Sequence, residues 1–136
     1  MIEVGHIHHI SLPVTDLGRS RAFYRDVLGL TEIARPPFDF PGAWFAVGDG
    51  QLHLIVHDRP TLRTRGIDSH DVHVAFRIKS YRETLAFLRS RGYHSDAPDE
   101  QKRLRENPRG RAGFPQAFIL DPDRHVIELN AEHLDS

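Results

Sequence analysis

Three features of the sequence predict an α+β fold of two βαβββ modules whose strands form a curled mixed sheet. The first is a duplication. His9-Ile-Ser-Leu-Pro-Val and His73-Val-Ala-Phe-Arg-Ile each open a strand-like run; seven residues on, each is followed by a helix-capping residue, Asp16 or Ser80, and after seven more by a phenylalanine expected on a helix face, Phe23 or Phe87. The second is that the later halves also correspond. Gly48-Asp-Gly-Gln-Leu-His53-Leu-Ile parallels Asp121-Pro-Asp-Arg-His-Val-Ile-Glu128-Leu, each a turn followed by a strand carrying one polar side chain. The third is the polar stretch 58–70, with Pro60, Gly66 and Asp68, which suits a linker between the copies. One domain over 1–136 is expected, with module one at about 6–60, the linker at about 61–70 and module two at about 71–131.

The elements follow in order. Residues 6–15 alternate with strand period, Ile10, Leu12 and Val14 on the core face and His9, Ser11 and Pro13 on the other. Asp16 caps a helix whose apolar stripe is Phe23, Tyr24, Val27 and Leu28, ended by Gly29. Strands are expected near 31–35, 43–47 and 51–57, the last two joined by the hairpin signal Gly48-Asp49-Gly50. In the second copy Val74, Phe76 and Ile78 form the core face of a strand, with His73, Ala75 and Arg77 opposite. Ser80-Tyr-Arg-Glu83 reads as a capping box, and Tyr81, Leu85 and Leu88 recur at helical spacing up to Gly92. Further strands are expected near 93–96, 114–120 and 125–130. The stretch 97–112, with Pro98, Pro108, Gly110 and several Lys/Arg residues, is punctuated too often for a regular element and reads as a long functional loop.

Composition narrows the function. A chain of 136 residues buries roughly 70% of its unfolded surface in one core. A net charge of -1 argues against a protein whose main task is coating nucleic acid. With no cysteine, disulfides and thiolate ligands are excluded, so any metal must be held by His, Asp or Glu. The N-terminal residues lack the basic start and apolar centre of a secretory signal, and no apolar run approaches the roughly 20 residues of a membrane span; a cytoplasmic location with no membrane partner is expected.

Strand parity then gathers four side chains. In 51–57, Leu52, Leu54 and Val56 share one face while His53 and His57 share the other; in 125–130, Ile127 and Leu129 oppose Val126, Glu128 and Asn130. His9, His53, His73 and Glu128 thus all lie opposite their strands' apolar stripes, and if helices cover those stripes they converge in a metal-binding cavity. Imidazole nitrogen with carboxylate oxygen suits one divalent ion per site, Zn, Ni, Mn or Fe(II). Ten histidines make an ordinary surface role the default for His6, His70, His94 and His133. His8 falls on the apolar side with Ile10, His57 sits at its strand's end within reach of an acid/base role, and His125 is a turn residue. Lys102, Arg103, Arg105, Arg109 and Arg111 read as a solvated loop or as a clamp over an anionic substrate. Phe38, Phe40, Trp44 and Phe114 are candidates for an apolar wall beside it, with core packing the alternative for Trp44.

These residues resemble the vicinal oxygen chelate superfamily, which includes glyoxalase I, fosfomycin-modifying enzymes, methylmalonyl-CoA epimerase, extradiol dioxygenases and bleomycin-resistance proteins. The resemblance runs from His9 to Asn130 and rests on His9-Ile-Ser-Leu-Pro-Val-Thr-Asp-Leu, Phe23-Tyr-Arg-Asp-Val-Leu-Gly-Leu30, His73-Val-Ala-Phe and Phe118-Ile-Leu-Asp-Pro-Asp-Arg-His-Val-Ile-Glu128-Leu. It implies a glyoxalase-like fold with metal ligands at His9, His73 and Glu128. The fourth ligand, Glu or Gln in glyoxalase I and the epimerase, falls on His53, a departure from that pattern. Arg124 stands where the family usually has a turn glycine. The family's chemistry is electrophilic: adjacent substrate oxygens bind the open metal positions and the ion stabilises the charge that develops. The reading that follows is a lyase or isomerase of the glyoxalase I type acting on a small oxygenated, anionic molecule. Glu128 and His53 are its catalytic candidates, Ser11, Arg77, Arg109 and Arg111 its substrate-binding candidates, and a homodimer its expected assembly. Three rivals remain. An Fe(II) extradiol dioxygenase would use the same triad, though it tends to have tyrosine where Phe118 stands; a drug-sequestering protein of the bleomycin-resistance kind would lack the metal set; a fosfomycin-modifying enzyme would need a fuller phosphonate-binding set than is visible.

Overall fold

The computed structural model describes residues 1–58 and 63–135. The expected Pro60 of the linker lies outside the described residues. The chain divides into two compact units, Met1–Leu62 and Arg63–Ser136, each with its own four-stranded mixed sheet, the α+β pattern of two βαβββ modules that the sequence predicts. No helix among the described residues is long and apolar enough to cross a membrane.

The first unit contains β1 (His9–Val14), α1 (Leu17–Ala22), β2 (Thr31–Ile33), β3 (Gly42–Val47) and β4 (Gly50–Val56), in the sheet order β1-β4-β3-β2. The parallel β1/β4 pair needs the crossover that α1 supplies, and β4 returns antiparallel to β3 through a two-residue hairpin. There Gly48 adopts φ 53°, the glycine-first pattern of a hairpin turn that follows strand twist. Asp16 caps α1 by accepting the Arg19 N–H at 3.1 Å. The helix then widens into one π turn over Phe23–Val27, a departure from the regular helix expected, and this turn buries Phe23 and Tyr24. Ile10, expected in the core, is 37% exposed: β1 is covered only from Leu12 onward.

The second unit repeats the plan with β5 (His73–Ile78), α2 (Tyr81–Ser90), β6 (Arg105–Asn107), β7 (Gln116–Leu120) and β8 (Val126–Ala131), ordered β5-β8-β7-β6. The central strand β8 is buried at every position. Ser80 caps α2 as expected, accepting the Glu83 N–H, and Tyr81, Leu85 and Leu88 are its buried residues. Phe87 is not equivalent to Phe23. It is 40% exposed with the Arg91 guanidinium over its ring, because the regular second helix turns Leu88 inward where the π turn of the first copy presents Phe23.

Two expectations for the second unit are corrected. No strand forms at 93–96: the Ala97 N–H closes a turn on the His94 carbonyl, so pairing shrinks to a single bridge between His94 and Arg103. The outer strand comes instead from within 97–112, where the sequence predicts a long irregular loop and the chain forms a short 3-10 turn, Glu100–Lys102, and β6. Pro98 and Pro108 lie just outside these two elements, where they break no hydrogen-bond ladder.

Candidate metal and substrate site

Register brings His9 and His53 together. Ser11 of β1 pairs with His53 of β4 and Trp44 of β3 pairs with His53 from the other side, so His9, Ser11, His53 and Trp44 share one sheet face. The His53 ring stacks on His9 at 4.1 Å between centroids and on Trp44 at 4.0 Å. Since β1 and β3 flank β4, the two neighbours cover opposite faces of the imidazole. Gln51 holds its edge, Oε1 lying 2.7 Å from His53 Nε2. Burial lowers the pKa of His53, and the neighbouring His9, His8 and Arg35 lower it further, favouring the neutral ring. His9 itself is exposed, its Nδ1 2.8 Å from Nδ1 of His8. Trp44, left open between wall and core by the sequence, is half-buried and lies on this face.

The second unit forms the other pair. His73 Nε2 lies 3.4 Å from Glu128 Oε1. His73 Nδ1 lies 2.8 Å from the Asp71 carbonyl oxygen, which can only accept, so Nδ1 donates to it and Nε2 is the nitrogen that faces Glu128. Glu128 is buried and bonded at both oxygens: Gln116 Nε2 donates to Oε1 at 3.0 Å and Asn130 Nδ2 donates to Oε2 at 2.6 Å. The chain of bonds extends outward at each end. Arg77 Nε donates to Asn130 Oδ1 at 2.6 Å, and Asn107 Nδ2 donates to Gln116 Oε1 at 3.1 Å. Parity placed Asn130 beside Glu128, but Gln116 and Asn107 enter through cross-strand register, which a single sequence does not reveal.

The remaining candidates divide. Arg77 is anchored to Asn130 and stands 5.0 Å over the Phe114 ring. Of the five basic residues at 102–111, three hold the fold: Lys102 donates to the Arg91 carbonyl and lies over Tyr93, Arg103 donates to the Ala97 carbonyl, and Arg105 to that of Ile67. Arg109 and Arg111 are exposed, and Arg109 with Phe114 helps line a cavity of about 450 Å³. His57 lies just beyond the end of β4, its Nδ1 3.3 Å from Oδ1 of Asp58. Arg124 does take positive φ, 66°, at a cost of about 1 kcal/mol. The turn is closed around buried Asp121, which accepts the Asp123 and His125 N–H groups. Arg63 donates to the Arg124 carbonyl, and the Arg124 side chain pairs with Glu100 at 3.3 Å and holds that carboxyl below its ordinary range.

Each unit thus offers two donors, and among the described residues no group of three or more His, Asp or Glu side chains stands ready for a metal ion. The donor chemistry suits a borderline metal in both pairs: a buried imidazole in one, and in the other an imidazole oriented by a backbone carbonyl beside a carboxylate.

The chain belongs to the Glyoxalase/Bleomycin resistance protein/Dioxygenase superfamily, whose family model matches residues 6–129. Solved structures share its fold. A glyoxalase family protein from Bacillus anthracis superimposes with a TM-score of 0.74 at 19% identity, over 96% of this chain and 98% of that one. Lactoylglutathione lyase from Agrobacterium tumefaciens gives 0.66 at 20% identity, over 94% of each chain. The fosfomycin resistance protein FosX from Listeria monocytogenes gives 0.69 at 23% identity, over 95% of this chain and 94% of that one. A mutant of FosX, similar to this chain at 22% identity over 98% of it and 95% of that protein, with a TM-score of 0.69, was solved with Mn(II) and 1S,2S-dihydroxypropylphosphonic acid.

Proposed function

We propose that this chain is a divalent-metal enzyme in which His9, His53, His73 and Glu128 hold one ion, acting as a lyase or isomerase of the glyoxalase I type on a small, oxygenated, anionic substrate. The observation that carries the reading is the pairing itself: equivalent strands of the two copies each set two donor side chains side by side on one sheet face. Two donors are too few for a Zn, Ni, Mn or Fe(II) centre, whereas four fill a tetrahedral set or leave open positions in a larger one. When bound, the ion supplies electrophilic stabilisation of charge developing on substrate oxygens. The rest falls to the chain. His53, kept neutral by burial, has a lone pair for a metal or a proton. Glu128, oriented by Gln116 and Asn130, serves as ligand and proton carrier. Ser11 and Arg77 contact the substrate from the two donor faces, and Arg109 and Arg111 bring the positive charge that selects an anion.

The glyoxalase reading is preferred to an Fe(II) dioxygenase because Phe118 stands edge-on to His73, 6.1 Å away, and offers no hydroxyl there. Metal analysis of protein purified with neither added metal nor chelator separates the two. Nickel or zinc together with turnover of the glutathione hemithioacetal of methylglyoxal supports the proposal. Iron with oxygen uptake on catechols supports the dioxygenase, and protein without metal or either activity overturns both. A homodimer fits the exposed Ile10 of β1 and Ile7 just before it. Light scattering should give twice the chain mass, and a monomer at every concentration would contradict it.

A further inference from the structure

The connection between β2 and β3 carries an aromatic platform with no role in the metal pairs. Phe38 and Phe40 lie 5.1 Å apart, centroid to centroid, with their planes only 16° from parallel. The Arg35 guanidinium sits over both rings, 4.9 Å from each centroid, and its NH2 donates to the Phe40 carbonyl at 2.8 Å. The backbone makes room for it. A Cβ on Gly42 would lie 3.0 Å from Arg35 Nε and NH2 and 2.4 Å from the Leu54 carbonyl oxygen, so only glycine lets the guanidinium settle against β3. Arg35 Nε is itself buried without an acceptor. Yet the rings so carefully held are open to water: Phe38 is 45% and Phe40 38% exposed. An ordered, partly desolvated cation holding two exposed aromatic rings in parallel adds little to the stability of the unit. It resembles a preorganised binding surface.

The platform's position gives it a use. Phe38 approaches Trp44 at 6.2 Å, Trp44 stacks on His53, and His53 stacks on His9. A single run of flat groups therefore leads from Arg35 to the first donor pair, all within one unit. We infer that Phe38 and Phe40 form a substrate subsite that receives a planar unsaturated or aromatic group attached to the oxygenated end of the substrate. This rests on the proposed metal centre only for the direction in which that oxygenated end points. A flat ring can extend the Phe38/Phe40 stack by lying parallel on an open ring face, a contact that a puckered ring of equal charge and similar size cannot match.

Mandelate and hexahydromandelate share charge and vicinal oxygens and differ only in a flat or puckered ring. Trp44, the only tryptophan of the chain, reports binding of either by its fluorescence. The titration is run on the full chain both metal-loaded and chelator-treated. The expected result is a preference for mandelate of about fivefold or more in the wild type, in both forms, falling to within about twofold in Phe38→Ala/Phe40→Ala. Phe38→Leu/Phe40→Leu, which keeps apolar bulk and removes the flat faces, should lose the preference as well. Equal affinity of the two probes in the wild type, binding of neither, or a preference that survives both double variants overturns the inference. So does a loss of dimer in the alanine variant with no change in probe selectivity, since the rings would then be covered by a second copy. If the protein proves to hold no metal, the proposed function fails, while the probe preference of the chelator-treated protein still decides the subsite.

Discussion

In the first unit His53 is held between flat faces, His9 at 4.1 Å on one side and Trp44 at 4.0 Å on the other, and its partner donor His9 is exposed. In the second unit Glu128 is held by directed bonds, two amide donors on its oxygens, each tied in turn to a further residue, and His73 is fixed through a backbone carbonyl. The strands are equivalent, but the forces are not. Stacking is tolerant of sliding and rotation, whereas hydrogen bonds to a carboxylate fix its direction and leave buried polar groups unpaired if one partner is removed. The difference follows from the donor: a neutral imidazole can be buried among aromatic rings, while a carboxylate cannot be buried without donors.

The comparison predicts unequal sensitivity around the two pairs. Asn130→Leu should weaken metal binding by about 10- to 100-fold, since Glu128 loses one donor and Arg77 its acceptor. Trp44→Leu should weaken it by less than about tenfold, because the stack on His9 and the contact with Gln51 remain. Competition titration against a chromophoric chelator measures both, and a larger effect at Trp44 than at Asn130 would reverse the assignment of forces.

A smaller effect concerns charge, which the second unit supplies through its 108–113 turn. Arg109→Ala/Arg111→Ala should raise KM several-fold, on the order of 1 kcal/mol in binding, with metal content unchanged. Both residues are exposed, so the difference from wild type should shrink as salt is added. An unchanged kcat/KM at low salt would assign these arginines to ordinary surface.

The smallest effect compares the two helices. The start of α1 is capped by Asp16, while that of α2 has Ser80 and also Asp135, which accepts the Ser80 hydroxyl and, at 3.1 Å, the Arg82 N–H. The Ser80 bond, followed by the Arg82 N–H, holds the Asp135 carboxyl below its ordinary 3.8. A carboxyl depressed in the folded state stabilises above its unfolded value and loses that contribution as pH falls through the folded one. Asp135→Asn should therefore lower Tm by about 2 °C at neutral pH and by progressively less as the pH falls below 3.8. A difference that grows in acid would have the wrong sign.

Much of this was legible because strand parity is strict: with period two, His53 and Glu128 could only face away from Leu52 and Leu54 or Ile127 and Leu129. Caps at Asp16 and Ser80 were equally readable, since their side-chain acceptors act within three residues. What stayed hidden depends on partners distant in sequence. Gln116 reaches Glu128 only through the β7/β8 register, β6 is a strand because β7 offers it an edge, and the π turn at Phe23–Val27 has no local signature. The Phe38/Phe40 platform was visible as apolar residues, but not that Gly42 lets Arg35 lock the two rings.

The central proposal is that His9, His53, His73 and Glu128 hold one divalent ion. Its most direct test is the metal-to-chain ratio, by inductively coupled plasma mass spectrometry, of wild type, His9→Ala, His73→Ala and Glu128→Gln, each shown to be folded by circular dichroism. The account predicts about one ion per set of four donors in the wild type and loss of most of it from each variant. Full occupancy retained in the His9→Ala/His73→Ala double variant would contradict it.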